Sequence, residues 1–209
     1  MKTKLSRREY KIIIDDLNIS KFLKIINQDF DKLHEDRCIK SLYFDTISYK
    51  LYRESLFQDS DRLKIRFRNY PKVDKKIYRE IKFNTREGKN KTVEEVSFNS
   101  FEDIKEYYFR GVEYFPSSFV EYTRSYFVGD NVRLTFDSDL KYTSHEFRGF
   151  KTDSVSRKVV IEYKLLKNKQ NNLYSKFFFD KNDSIQHKLI KNPQKFSKYV
   201  DSVANLYNL

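Results

Sequence analysis

Three times along the chain a glutamate and a lysine stand two apart inside an apolar run: Glu9-Tyr10-Lys11, Glu80-Ile81-Lys82 and Glu162-Tyr163-Lys164. Side chains two apart on a strand share a face, about 6.5–7 Å from each other. Each motif therefore sets a carboxylate beside an ammonium, with isoleucines and tyrosines on the reverse. Two further runs share this phase. Lys64, Arg66 and Arg68 alternate with Ile65 and Phe67, and Arg133, Thr135 and Asp137 alternate with Val132, Leu134 and Phe136. The charged faces together carry Lys11, Lys64, Arg66, Arg68, Lys82, Arg133 and Lys164 against Glu9, Glu80, Asp137 and Glu162. Such residues suit polyphosphate chemistry: guanidinium forks grip phosphate oxygens and lysines supply point charges. One strand of this kind is ordinary, because antiparallel sheets commonly keep one wet face. Five in the same phase, with reverse faces too apolar to leave uncovered, predict a charged wall facing an anion. Cations gathered without a partner repel one another.

The elements that position these residues are mostly strands. Runs rich in Ile, Val, Tyr, Phe and Thr predict strands at 7–14, 38–45, 61–70, 75–84, 91–98, 118–128, 131–138 and 157–166. A helix is predicted over 20–34, where Ser20 precedes the stripe Phe22, Leu23, Ile26 and Phe30. A second is predicted over 100–110, opened by a Ser100/Asp103 capping box and carrying Phe101, Ile104 and Tyr108. The C-terminal third, from about 172 onward, is predicted helical, with Phe196, Tyr199, Val200, Val203 and Leu206 at helical spacing. No Pro/Gly/Ser-rich linker interrupts the chain, so a single domain over 1–209 is expected.

Composition bounds the rest. The 209 residues carry 42 Lys+Arg and 30 Asp+Glu, a net charge of +12 that points to an anionic partner. With 39% hydrophobic and 17% aromatic residues a real core can form, and wholesale disorder is excluded. Cys38 is the single cysteine, which excludes a disulfide framework or a thiolate metal site within one chain. No apolar run approaches the roughly 20 residues of a membrane span or forms a secretory leader, so a cytoplasmic protein is expected. The sequence lacks the GxxxxGK[ST], GxGxxG and HExxH motifs, and His34, His145 and His187 are scattered. The 35 Phe and Tyr residues could stack on bases, but most fall on apolar strand phases or helical stripes, so no specific nucleic-acid partner is expected.

These motifs resemble, in order, those of the VTC domain, the polyphosphate polymerase domain of the vacuolar transporter chaperone complex, within the wider CYTH or triphosphate tunnel metalloenzyme group. The resemblance runs through REYKI (8–12), SLYFDT followed by LYRESL (41–56), KIRFRNY (64–70), REIKF (79–83), VEYTRSYF (120–127), VRLTFD (132–137), VVIEYKL (159–165) and FSKY (196–199). It implies an α+β fold, an antiparallel eight-stranded β-barrel tunnel with helices packed outside and a C-terminal helix closing one end. It also implies phosphate contacts from Lys11, Arg66, Arg68, Lys82, Arg124, Arg133 and Lys198, with Tyr122 and Ser197 assisting. A further lysine in the REGKNKT loop is Lys89 or Lys91, with Lys91 favoured. Glu162 is implied as the ligand of Mn²⁺ or Mg²⁺, and Glu9 and Glu80 are further candidates; Lys64 and Lys164 join the substrate face through the strand pattern. The implied substrates are ATP or another triphosphate together with polyphosphate or pyrophosphate. The implied reaction is transfer of the terminal phosphoryl group of ATP to a growing polyphosphate chain. Two alternatives stay open: a triphosphatase or tripolyphosphatase on the same fold, and a non-enzymatic polyphosphate-binding module.

Overall fold

The computed structural model describes residues 9–15, 19–57, 61–86, 88–129, 132–145, 153–165 and 195–208. Among them are ten strands: β1 (Glu9–Asp15), β2 (Asp31–Asp45), β3 (Arg62–Asn69), β4 (Ile77–Thr85), β5 (Gly88–Val96), β6 (Tyr107–Phe109), β7 (Val112–Gly129), β8 (Val132–Ser144), β9 (Asp153–Ser156) and β10 (Lys158–Leu165). Three α-helices accompany them, α1 (Ile19–Asp29), α2 (Lys50–Leu56) and α3 (Lys198–Tyr207). The hydrogen-bonded order is β1-β10-β8-β7-β2-β3-β4-β5, with β6 paired to β7 and β9 to β8 off that path.

The eight predicted strands are the eight of this path. The predicted eight-stranded closed barrel is corrected on two points: the sheet has ten strands, and it is not closed. Strand β5 ends the order. Residues Gly88–Glu95 are all exposed, because GKNKTVEEV offers no apolar alternation to bury.

The chain groups into two compact units. The first comprises Met1–Asp36, Thr123–Leu140 and Arg157–Phe196, and the second Arg37–Tyr122, Lys141–Ser156 and Ser197–Leu209. In the first unit the apolar reverse faces form one core. Ile12 and Ile14 of β1, Leu134 and Phe136 of β8, and Val159, Ile161 and Tyr163 of β10 pack with Phe22 and Ile26 of α1 and with Phe30, which directly follows it. Spacings of four residues put those three side chains on one stripe of the helix. The helix stops short of the predicted residue 34. Its last backbone bond is Phe30 N–H to Ile26 carbonyl at 2.9 Å, and Leu33, the next stripe position, is 48% exposed.

The second unit packs Phe44 of β2 against Phe67 of β3, ring centroids 5.0 Å apart. Here the predicted helix over 100–110 is also corrected. The capping box at Ser100 and Asp103 forms, but only a 3-10 turn, Phe101–Asp103, follows it. Tyr107–Phe109 instead pairs as β6 with β7. Arg110 and Gly111, both at positive φ (51° and 73°), make the two-residue turn whose twist suits a hairpin. Tyr and Phe favour the strand once that turn forms. Of the predicted C-terminal helical third, α3 lies among the described residues, and 172–194 lie outside them.

Phe22 tests how far α1 depends on this core. It is 2% exposed and lies against Phe136 at 6.3 Å. Phe22→Ala should cost about 3–5 kcal/mol, read as a lower denaturant midpoint at unchanged slope.

Candidate functional site

Register decides what the charged residues meet. In the first unit β1 and β10 run antiparallel, so the two Glu-x-Lys motifs face each other crosswise: Glu9 opposite Lys164 and Lys11 opposite Glu162. Strand β8 continues these rows, with Arg133 opposite Lys164 and Thr135 opposite Glu162. Lys164 Nζ bridges Glu162 Oε1 at 2.5 Å and Glu9 Oε2 at 3.6 Å. Arg124 of β7 grips Asp137 with two parallel bonds of 2.5 and 2.7 Å, and its Nη2 lies 3.9 Å from Glu162. Burial pushes the Glu162 carboxyl up, but Lys11, a hydrogen bond with Glu9, Lys164 and Arg124 outweigh it and hold the group well below the usual carboxylate range. Lys11 also donates to the Phe196 carbonyl at 3.0 Å. Arg133 stands apart from this packing: it is exposed, its guanidinium 5.3 Å from the Tyr126 ring centre.

The second unit carries a different balance. Lys64, Lys82 and Lys91 stand directly opposite one another on β3, β4 and β5. One row along, Arg66 lies opposite Glu80. Glu80 Oε2 accepts from Arg66 Nε at 2.9 Å and from Arg66 Nη2, and it meets Lys91 Nζ at 3.2 Å, while Oε1 lies 4.0 Å from Arg68 Nη1. Burial raises this carboxyl, but Arg66, Arg68 and Lys91 overcome it and pull it down to about 2. Arg68, 4% exposed, donates Nε to Ser41 at 2.9 Å and Nη2 to the Tyr122 hydroxyl at 3.2 Å. Arg66 Nη1 donates to the Tyr43 hydroxyl at 3.1 Å. Burial alone would raise the Tyr43 phenol; Arg66, Arg68 and Lys198 reverse this and lower it.

The FSKY segment reads onto alternate residues of β3. Ser197 accepts from Lys64 Nζ at 2.7 Å and, as N-cap of α3, from Val200 N–H at 3.4 Å. Lys198 Nζ sits 4.7 Å from the centre of the Tyr122 ring, whose hydroxyl receives Arg68. Tyr199 stacks on Tyr43, which receives Arg66.

The structure thus brings the predicted residues into two clusters. Lys11, Arg124, Glu9, Glu162 and Lys164 form one, with Arg133 at its exposed end; Lys64, Arg66, Arg68, Lys82, Lys91, Glu80, Tyr122, Ser197 and Lys198 form the other. Lys89 lies opposite Asn84, one pair beyond the lysine row. Sequence reasoning assigned no role to Ser41, Tyr43 and Asp45. The signal was present: in SLYFD the polar residues alternate with Leu42 and Phe44 in the phase of the charged wall.

Both oxygens of Glu80 face cations, and so do those of Glu162, Oε1 toward Lys164 and Oε2 toward Arg124; the Glu162 corner differs in having a second carboxylate and a hydroxyl beside it. Glu9 and Glu162 lie together, and Thr135, opposite Glu162, keeps a buried Oγ1 without a hydrogen-bond partner. Oxygen donors of this kind fit a hard divalent cation, and Mg²⁺ commonly takes one or two carboxylates and completes its shell with water and phosphate. Among the described residues no group of three or more His, Cys, Asp or Glu side chains forms a protein-only cage.

Comparison with known proteins gives a family match over nearly the whole chain: the VTC domain, aligned to residues 6–110 and 90–207. No curated protein matches. Similar solved structures include a Pyrococcus horikoshii protein, at 12% identity and TM-score 0.48 over 94% of this chain and 99% of that one. Another is a Hippeastrum protein described as a candidate adenylyl cyclase with dominant triphosphatase activity, at 14% identity and TM-score 0.44 over 76% and 79% of the two chains. A candidate adenylate cyclase of Vibrio parahaemolyticus shows 14% identity and TM-score 0.45 over 80% and 81%. No described helix is long and apolar enough to cross a membrane.

The depressed Glu80 carboxyl has a measurable consequence. A group whose folded value lies near 2, against about 4.3 unfolded, contributes its stability in full above pH 4.3 and loses it as pH falls toward 2. Glu80→Gln should therefore flatten the acid limb of stability between about pH 4.5 and 2, a difference on the order of 3 kcal/mol in urea titrations across that range.

Proposed function

The chain belongs to the VTC domain family, and from that premise we propose that its charged faces bind a triphosphate and transfer a phosphoryl group, the terminal one of ATP, to polyphosphate. One observation carries this reading: Lys64, Lys82 and Lys91 stand directly opposite one another on three adjacent strands. Like charges in that position are destabilising in a sheet, whereas an anion laid across the row turns repulsion into charge-assisted contact. A triphosphate carries oxygens along its length and suits a row better than a single small anion does.

Phosphoryl transfer asks the protein for positioning and charge neutralisation more than for covalent chemistry. In the second unit the cation row would contact phosphate. In the first unit Glu162 and Glu9, with Thr135, would hold a divalent metal, which when bound would supply Lewis-acid charge. The choice of acceptor follows from the carboxylates. Glu80 and Glu162 are held far more acidic than a general base working near neutrality needs to be. A polyphosphate end is already ionised and needs no base, whereas water does. That supports transfer to polyphosphate over hydrolysis.

The test is the purified chain with ATP and Mn²⁺, measuring long-chain polyphosphate and free phosphate separately. Polyphosphate is the expected product; free phosphate alone would make the protein a hydrolase, and neither product would leave a binding module. Lys82→Ala should lower kcat/KM about a hundredfold, as expected for loss of a cation that meets transition-state charge. Glu162→Gln should abolish most metal-dependent turnover while tripolyphosphate still binds, and unchanged metal dependence in that variant would refute the assignment of Glu162.

A further inference from the structure

Behind the cation wall runs a line of buried polar groups that the phosphate reading does not use. Asp45 is 0% exposed, Tyr199 2% and Tyr43 4%. Backbone fixes the Asp45 carboxylate at one end: Thr46 N–H donates to Oδ1 at 2.7 Å, Leu51 N–H to Oδ1 at 2.8 Å and Tyr52 N–H to Oδ2 at 2.9 Å. These bonds tie Asp45 to the first turn of α2, where backbone N–H groups otherwise lack partners. The Tyr199 hydroxyl, on α3, donates to Asp45 Oδ2. The Tyr199 ring stacks on that of Tyr43, centroids 5.2 Å apart and planes 23° apart. The Tyr43 hydroxyl accepts from Arg66 Nη1 at 3.1 Å, while Glu80 takes Nε and Nη2 of the same guanidinium.

We propose that Asp45, Tyr199 and Tyr43 are a positioning relay that fixes the plane of the Arg66 guanidinium and makes it depend on the seating of α3, an inference that rests on the phosphate-binding reading of this face. The relay differs from ordinary packing in two respects. Phenylalanine would fill the same space at 43 and 199 without burying a hydroxyl that must be satisfied, so the two hydroxyls are retained for what they bond. A guanidinium held by Glu80 alone can swing about that contact. A third bond from a tyrosine fixed at its own far side removes the swing, and a bidentate phosphate contact needs that fixed plane.

Tyr43→Phe and Tyr199→Phe each remove one oxygen and keep the rings, and they are made singly and together in the full chain. The probe is tripolyphosphate, with Kd read by calorimetry beside a thermal melt. Each single variant should weaken binding about tenfold, and the double variant should be no weaker than the worse single one, because one relay is broken once. Unchanged affinity in both single variants, or losses that multiply to about a hundredfold, would overturn the relay. A ligand-free readout accompanies these: exchange of the Arg66 Nε–H proton by NMR, expected to accelerate at least tenfold in both variants. Should Tyr199→Phe fail to fold, Tyr43→Phe decides by the same two measurements. If the wild-type chain does not bind tripolyphosphate, the phosphate reading fails, and the exchange rate alone decides the relay: acceleration supports it and an unchanged rate ends it.

Discussion

Repulsion among cations on one sheet face is the constraint to which the second unit answers. Lys64, Arg66, Arg68, Lys82, Lys91 and Lys198 gather there with Glu80 among them. A single buried carboxylate cannot neutralise six cations, but it can hold those nearest to it, and its depressed pKa is the measure of that hold. What keeps the strands together despite the remaining charge is the other face. Ile65, Phe67 and Ile81 are buried there, and burial of side chains of this size contributes about 1.5–3 kcal/mol each. Charge and core occupy opposite sides of the same three strands, so a substitution on one face alters the tension the other must withstand.

The first unit solves its electrostatics differently. Lys11, Arg124, Arg133 and Lys164 stand with Glu9, Asp137 and Glu162, so this cluster is close to neutral. The crosswise meeting of two antiparallel Glu-x-Lys motifs produces the balance, since each glutamate then faces a lysine. The same tripeptide pattern on β4 meets Arg66 and Lys64 of β3 and Lys91 of β5 instead, and there leaves an excess of positive charge. An identical local motif therefore yields a nearly balanced cluster in one unit and a cation row in the other. The neighbouring strand decides which.

This explains which parts of the site were legible in the sequence. Alternation within a strand fixes which side chains share a face, so Lys64, Arg66, Arg68, Glu80 and Lys82 could be read together. Register between strands is set by long-range pairing that periodicity does not encode. Neither the lysine row nor the Glu9–Lys164 crossing was visible for that reason. Sheet closure, too, is a matter of which strands pair, and the hydrogen-bonded order ends at β1 and β5. The helix expected over 100–110 failed because the Arg110–Gly111 turn lies beyond the capping box and favours a hairpin. Ser41 and Tyr43 were readable by phase but carried no charge to draw attention.

The two kinds of cation do different work on β3 and β4. Arg66 has its three nitrogens on Glu80 and Tyr43, and Arg68 has its own on Ser41, Tyr122 and Glu80. A guanidinium held in this way is pre-oriented, and little conformational entropy is lost when a ligand meets its remaining donors. An ammonium turns freely on a flexible stem and can follow a ligand that shifts. Among the lysines of the row, Lys64 Nζ donates to Ser197 at 2.7 Å and Lys91 Nζ meets Glu80 at 3.2 Å. The depth of each residue agrees: the Arg68 side chain is 5% exposed, that of Arg66 24% and that of Lys91 49%. The gradient runs from the buried arginine on β3 to the half-exposed lysine on β5.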